Sequence, residues 1–391
     1  MKFSNYLGLS RPCNWSHLLI AFLPVLALAD VRHLTDIPFQ GKTSAEFTSG
    51  PLNFEAPHLS AVNGSSFQWW WFDVLTTSTN VSALNIIFFD AANAAFPLTE
   101  EPDNILSVWI SGYNANGTQF AYSIPVTNAS VTWGKQGKLD LGDGVFGSWQ
   151  SPDINATFSA PDGLGYFDIT IDSPAYGVHA DLHFTNTATP HYPCGTAQAG
   201  EQLRVAPHIG WANAMPSADV TGTITMGNGT ETMHFSNALG YHDMNWSNRP
   251  LFESINSWYW GHAKLGPYTL VWYDALDSTG AEHVGGFVSV DGHGSEPIMS
   301  SCKLGDVRVR PQGKGAQYPP DAQHSDFASL HVELHTEDGL LVADVVPMGD
   351  NLVEPGLYQL KFGQIKGGLQ GGEVYEGIAE FEEFTVLGFE V

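Results

Sequence analysis

The chain has 391 residues, of which 43% are hydrophobic, 12% aromatic and only 14% charged, which excludes a disordered or fibrous protein and supplies enough apolar mass for a large core. Fifteen Lys and Arg stand against 41 Asp and Glu, a formal net charge of -26. Such a surface repels phosphate backbones and anionic lipid, so neither nucleic acid nor a membrane surface is an expected partner.

The first element is a leader. Lys2 and Arg11 form a basic start, Leu18 to Leu28 is an apolar run broken by Pro24, and Ala27-Leu28-Ala29 is a small-x-small cleavage site. Residues 1–29 are read as a cleaved signal peptide; the apolar run is too short for the alternative, a membrane anchor, and no later stretch is long enough to give stable membrane insertion. Secretory entry fits the frequent Asn-x-Ser/Thr acceptors at Asn63, Asn80, Asn116, Asn128, Asn155 and Asn228; a seventh, Asn245, is expected to be buried and unused. It also fits the cysteines. Cys13 falls in the leader, leaving Cys194 and Cys302 as an even pair, a disulfide in an oxidising compartment or else two free thiols.

From there strand signals dominate. Residues 156–160 and 165–172 flank Asp162-Gly163; 220–226 and 231–235 flank Asn228-Gly229; 330–335 and 340–346 flank Asp338-Gly339. Many short strands with regular turns and little helical periodicity indicate an all-β chain. The Pro-containing stretch Asn213–Asp219 is the expected boundary. Two tandem lipocalin-like β-barrel or sandwich domains follow, at 30–215 and 216–391, with a pocket in their cleft or in one barrel mouth.

Three aromatic clusters carry embedded polar groups. In Gln68-Trp69-Trp70-Trp71-Phe72-Asp73, strand alternation puts Trp69, Trp71 and Asp73 on one face and Gln68, Trp70 and Phe72 on the other. One face must be core, and the other is either core too or the wall of a cavity. In Gly240-Tyr241-His242-Asp243-Met244-Asn245-Trp246, so many hydrogen-bonding side chains are costly to bury, which calls for a structural polar network or a ligand-facing site. In Trp258 to Asp274, Trp258, Trp260, His262 and Lys264 share a face; a His and a Lys beside indoles can polarise a carbonyl or move a proton, or simply pack at a rim. No HExxH, His-x-His, Gly-x-Ser-x-Gly or phosphate-cradling motif appears, so neither a metal nor another cofactor is expected.

These clusters, in this order, resemble the carotenoid-hydratase-like, lipocalin-related superfamily that includes the fungal Diels–Alderases. Trp69–Asp73 is similar to its Trp-Trp-Tyr-Phe-Asp element, Gly240–Trp246 to its Gly-Tyr-His-Asp-x-Asn-Trp element, and Trp258–Asp274 to its Trp-Tyr-Trp-Gly-Arg strand pair. Gln68 stands where that family usually has Glu, and His262 where it has Arg. The resemblance implies a cofactor-independent pericyclase of fungal secondary metabolism. It would act on a hydrophobic polyketide- or terpenoid-derived substrate by confinement and hydrogen bonding. The leader and acceptors point to a subgroup such as the hetero-Diels–Alderases of tropolone sesquiterpenoid biosynthesis. On that reading Trp69, Trp71, Asp73, Tyr241, Asn245, Trp246, Trp260 and Trp272 bind substrate, and His242, Asp243, His262, Lys264 and Tyr268 carry the chemistry. Three alternatives stay open: a non-catalytic carrier with an unbroken apolar lining, an isoprenoid hydratase or isomerase with a carboxyl of raised pKa in its pocket, and a secreted glycan-binding or glycan-hydrolysing protein with paired carboxylates along a groove.

Overall fold

The computed structural model describes residues 30–50, 54–76, 81–96, 104–134, 144–160, 164–292, 296–321, 327–354 and 357–387. The leader, Asn80 and the Asp162-Gly163 turn lie outside them. The chain is all-β, in two antiparallel sheets. In the first, the strands run in the order 30–35, 128–133, 145–151, 154–160, 166–173, 178–186, 209–226, 231–247, 67–75, 83–91, 106–113, 119–125. In the second the order is 299–301, 282–290, 268–277, 255–265, 375–385, 358–369, 339–354, 329–336, 307–312. The second nearly closes on itself: the edge strand Val307–Gln312 comes back to put Val307 against Gly286 and to donate its Val309 N–H to Asp274 Oδ2 at 3.0 Å.

The stretch 213–219 is no boundary. It lies within the single strand Ile209–Met226, with Ala214, Met215 and Ser217 buried. Pro216 is accommodated because the pairing with Glu231–Ser247 shifts register on both sides of Met215, and a bulged position asks for no ladder N–H from proline. The first sheet therefore continues to Ser247, and the change to the second falls at residues 248–254, which include the one-turn helix Leu251–Ser254.

The two sheets share a core. Trp258, Trp260, Tyr273, Phe287, Tyr358 and Phe384 of the second sheet belong to the same buried apolar cluster as Trp71, Trp211 and Phe89 of the first. A separate cluster around Leu270, Trp272, Val332 and Phe381 fills the second barrel. Cys194 and Cys302 form a disulfide, Cα atoms 4.8 Å apart, that ties the hairpin 191–196 of the first unit to the end of strand Met299–Ser301 in the second. Among the described residues no helix is long and apolar enough to cross a membrane.

Candidate active site

The strand Phe67–Leu75 is buried on both faces, and its alternation sorts the indoles. Trp70 and Phe72 enter the first sheet's own core, against Trp149, Phe158 and Phe167. Trp69 and Trp71 face the second sheet, where Trp71 meets Trp260 edge-on, ring centroids 6.1 Å apart. Between the sheets a cavity opens, walled by Trp69, Trp71, Trp109, Trp211, Trp258 and Trp260, with Tyr273, Tyr358 and several Phe completing it. The atoms leave about 740 Å³ of space out to the mouth, aromatic on most sides.

Three polar side chains interrupt that wall: Asp243, Asn245 and Glu382. Asp243 Oδ2 accepts from Trp211 Nε1 at 2.7 Å and from the Tyr241 hydroxyl at 2.8 Å, and Oδ1 accepts from Asn245 Nδ2 at 2.8 Å. Burial lifts its carboxyl to about 6, the Trp211 and Tyr241 hydrogen bonds holding it lower than burial alone would, and Asp73 adding to the rise. Glu382 Oε2 accepts from Trp258 Nε1 at 2.9 Å and Oε1 from the Tyr358 hydroxyl at 2.5 Å. Burial raises this carboxyl to about 7, against the same kind of opposition, with the charges of Asp243 and Asp73 pushing it further. Burial first, and then the neighbouring carboxylates Asp243 and Glu382, hold the Tyr241 and Tyr358 phenols well above their usual range.

Further buried polar groups stand behind Asp243. Asp73 accepts from Trp71 Nε1 at 3.0 Å, and its other oxygen lies 3.0 Å from His262 Nε2. His262 stacks on Tyr241, centroids 4.4 Å apart. Cross-strand from His262 is Glu380, which accepts from Asn85.

Of the remaining residues named from the sequence, His242 points the other way from Asp243, as neighbours on a strand must. It lies flat on Phe72 at 3.8 Å, with Nδ1 2.7 Å from Trp71 O and Nε2 2.8 Å from Glu55 Oε2. It is part of the first sheet's own core, away from the cavity lining. His242→Ala is accordingly expected to cost about 3–5 kcal/mol of stability by stranding Glu55, which urea unfolding checks. Trp246 is likewise spent elsewhere, donating to Glu46 O and stacking on His58. Trp272 fills the second barrel under Gly261, where any Cβ would collide with the indole, and Tyr268 packs in that same cluster near Tyr375. Lys264 sits at the rim, paired with Asp291. Asn63 is half-buried, and Asn116, Asn128 and Asn155 are exposed.

Trp211, Trp258, Tyr358 and Glu382 were not singled out as site residues from the sequence. The signal for the last was present: Ala379-Glu380-Phe381-Glu382-Glu383-Phe384 sets three carboxylates in an aromatic strand of a chain poor in charge. Among the described residues no group of three or more His, Cys, Asp or Glu side chains is placed to hold a metal ion.

Comparison with known proteins agrees with this architecture. The quinolone epoxide rearrangement protein asqO of Emericella nidulans is 30% identical over 375 residues, covering 94% of this chain and 98% of that one. The quinolone epoxide rearrangement protein penF of Penicillium thymicola is 30% identical over 336 residues, 84% of this chain and 86% of its own. The crystal structure of CghA with Sch210972 superposes with a TM-score of 0.73 at 17% identity, over 92% of this chain and all of the other, a likeness of fold. A family profile described as Diels-Alderase-like matches residues 29–286, more than half of the sequence. With its two-sheet β fold and its carboxyl-bearing aromatic cavity, the chain belongs to the Diels-Alderase-like family and is an enzyme of the cyclase or isomerase type.

Proposed function

We propose that the chain isomerises a neutral, flat, largely apolar molecule bearing an oxygen acceptor, by proton transfer from Glu382 within the indole-walled cavity. The observation that carries this is the pair of buried carboxyls at about 6 and about 7 in one cavity wall. Both carboxyls are raised by burial, and their hydrogen bonding sets them apart: three donors hold the Asp243 carboxylate and two hold that of Glu382. Donors favour the charged form, so Glu382 keeps its proton more readily and is the acid. Its partners Trp258 and Tyr358 both donate to the carboxylate; once Glu382 is protonated, only the Tyr358 hydroxyl of the two can turn to accept, so an oxygen of the bound molecule has one weak competitor for the proton. Asp243, fixed by three donors, is the base that takes a proton back.

The chemistry balances without a further reactant. The acid's proton goes to the substrate oxygen, the carbon–oxygen bond breaks with its electron pair going to oxygen, and positive charge develops on carbon. A bond then migrates or forms within the same molecule, and a proton leaves to a carboxylate. Indole faces and the negative charge of Asp243 stabilise that cationic stage. The two relatives are named for rearranging quinolone epoxides, and an epoxide oxygen is an acceptor this arrangement suits. The same carboxyls speak against simple carriage, for which an unbroken apolar lining serves better. The disulfide supports manufacture in an oxidising compartment.

A second reading is pericyclic: the walls hold a diene and its partner face to face and a donor lowers the acceptor orbital. Trp260 Nε1 favours it, being a buried N–H in the cavity wall whose one neighbouring acceptor is the Tyr241 hydroxyl. The readings part on one experiment. A bicyclic lactam carrying an epoxide side chain should give an isomer of unchanged mass on incubation with the protein. Return of the epoxide unchanged, with cyclisation of a polyene given in its place, would favour the second.

A further inference from the structure

The disulfide hairpin reaches the site by a route that the chemistry above does not use. His191, three residues before Cys194, is fully buried. Its ring lies flat on Phe287 of the second sheet, centroids 4.1 Å apart with planes 8° from parallel, and edge-on to Trp211 of the first, centroids 5.3 Å apart at 85°. It is a wedge between the sheets. Nδ1 lies 2.9 Å from Tyr192 O, so it carries the hydrogen and donates, and burial pushes the imidazole down to about 4, leaving the ring neutral at working pH. The indole it braces is the one whose N–H reaches Asp243 at 2.7 Å.

The covalent clamp closes beside this wedge. Strand Met299–Ser301 pairs with residues 286–288, which include Phe287, and Cys302 follows immediately. A Cβ placed on Gly285, next along, would stand 3.6 Å from Pro193 O and 3.9 Å from the Trp211 ring, so the hairpin and the indole both lie against this point of the strand. Disulfide, hairpin, Phe287, His191 and Trp211 thus form one packed stack ending on a cavity carboxyl.

We infer that His191 is a positioning residue for Asp243, acting through the Trp211 indole, and that the Cys194–Cys302 bond holds it in place. This rests on the proposed function only in making Asp243 a working group. The groups facing Asp243 are Tyr241, Trp211 and Asn245 by hydrogen bond and His242, Asp73 and Glu382 by charge; His191 touches none of its oxygens.

The test reads the carboxyl itself, without turnover. In full-length protein labelled with ¹³C aspartate, the Asp243 carboxyl, assigned from Asp243→Asn, is titrated beside the Trp211 indole N–H signal. His191→Ala frees the indole, and losing a hydrogen bond to a charged acceptor should move the Asp243 midpoint up by about one pH unit. His191→Phe, which keeps a flat ring, should restore the wild-type midpoint. Unchanged Asp243 and Trp211 signals in His191→Ala overturn the inference, as does His191→Phe behaving like His191→Ala. If His191→Ala does not fold, Cys194→Ser/Cys302→Ser gives the same reading: an upward move supports the clamp and no move overturns it. Failure of the catalytic reading shows separately, as full turnover by Asp243→Asn.

Discussion

Glu382→Gln is expected to lower turnover by about 10²–10⁴-fold, the range a positioned general acid contributes, with little change in substrate binding. Glutamine is close in size to the protonated acid. Its carbonyl can still accept from Trp258 or Tyr358, which reach the native carboxyl at 2.9 and 2.5 Å, so the wall is preserved while the transferable proton is removed. The wild-type rate should also carry a descending limb as pH rises through about 7, where Glu382 loses its proton, and the variant should lack it. The measurement is a pH–rate profile of both proteins on one substrate. A variant running at the wild-type rate would remove the acid and leave confinement by the indoles as the whole of catalysis, which is the pericyclic reading. Asp243→Asn separates the partners further: it removes the base and one like charge from beside Glu382, so the limb that remains should move to lower pH.

Which parts of this were legible in the sequence follows from how strands bury their faces. Alternation alone separated Trp69, Trp71 and Asp73 from Trp70 and Phe72, and the structure keeps those two sets on opposite faces. The same rule applied to Tyr241–Trp246 separates His242 from Asp243, so the pair cannot serve one cavity, a consequence of the pleat alone. What alternation does not give is which apolar face looks into a barrel and which looks across to the other sheet. Trp260 and Trp272 sit in paired strands with similar surroundings, yet one lines the cavity and the other fills the second barrel. Glu382 and Trp211 come to the site from 139 and 32 positions away from Asp243 along the chain, and only the sheet order brings them there. Pro216 misled the boundary because proline usually ends a strand, whereas here a bulge receives it.

Stability should rise as the protein is acidified from about pH 8 to about pH 5, a direction set by the buried carboxyls. Burial raises Asp90 and Glu382 to about 7 and Asp243 to about 6, from ordinary values near 4. A carboxyl whose folded value lies above its unfolded one contributes most when both states are protonated, below about 4, and loses that contribution as pH climbs through the folded value. His191 and His208, both lowered, run the other way, losing stability as pH falls below about 6.5. Between pH 8 and 6.5 only the carboxyls act; below 6.5 three of them outweigh His191, and the fall in net negative charge helps. Each carboxyl is worth on the order of 3 kcal/mol at most across this window. The melting temperature at pH 5 should therefore exceed that at pH 8 by several degrees. Glu382→Gln should shrink the difference by its own share, chiefly by stabilising the protein at pH 8, because the variant no longer has to keep a charge in an apolar wall. A melting temperature that falls on acidification would mean these carboxyls are ionised and well paired in the fold, and would take the proton from Glu382 on which turnover depends. A group kept at a stability cost beside an indole-lined cavity, and relieved by the same substitution that is expected to slow turnover, is the trade that a working acid imposes on its fold.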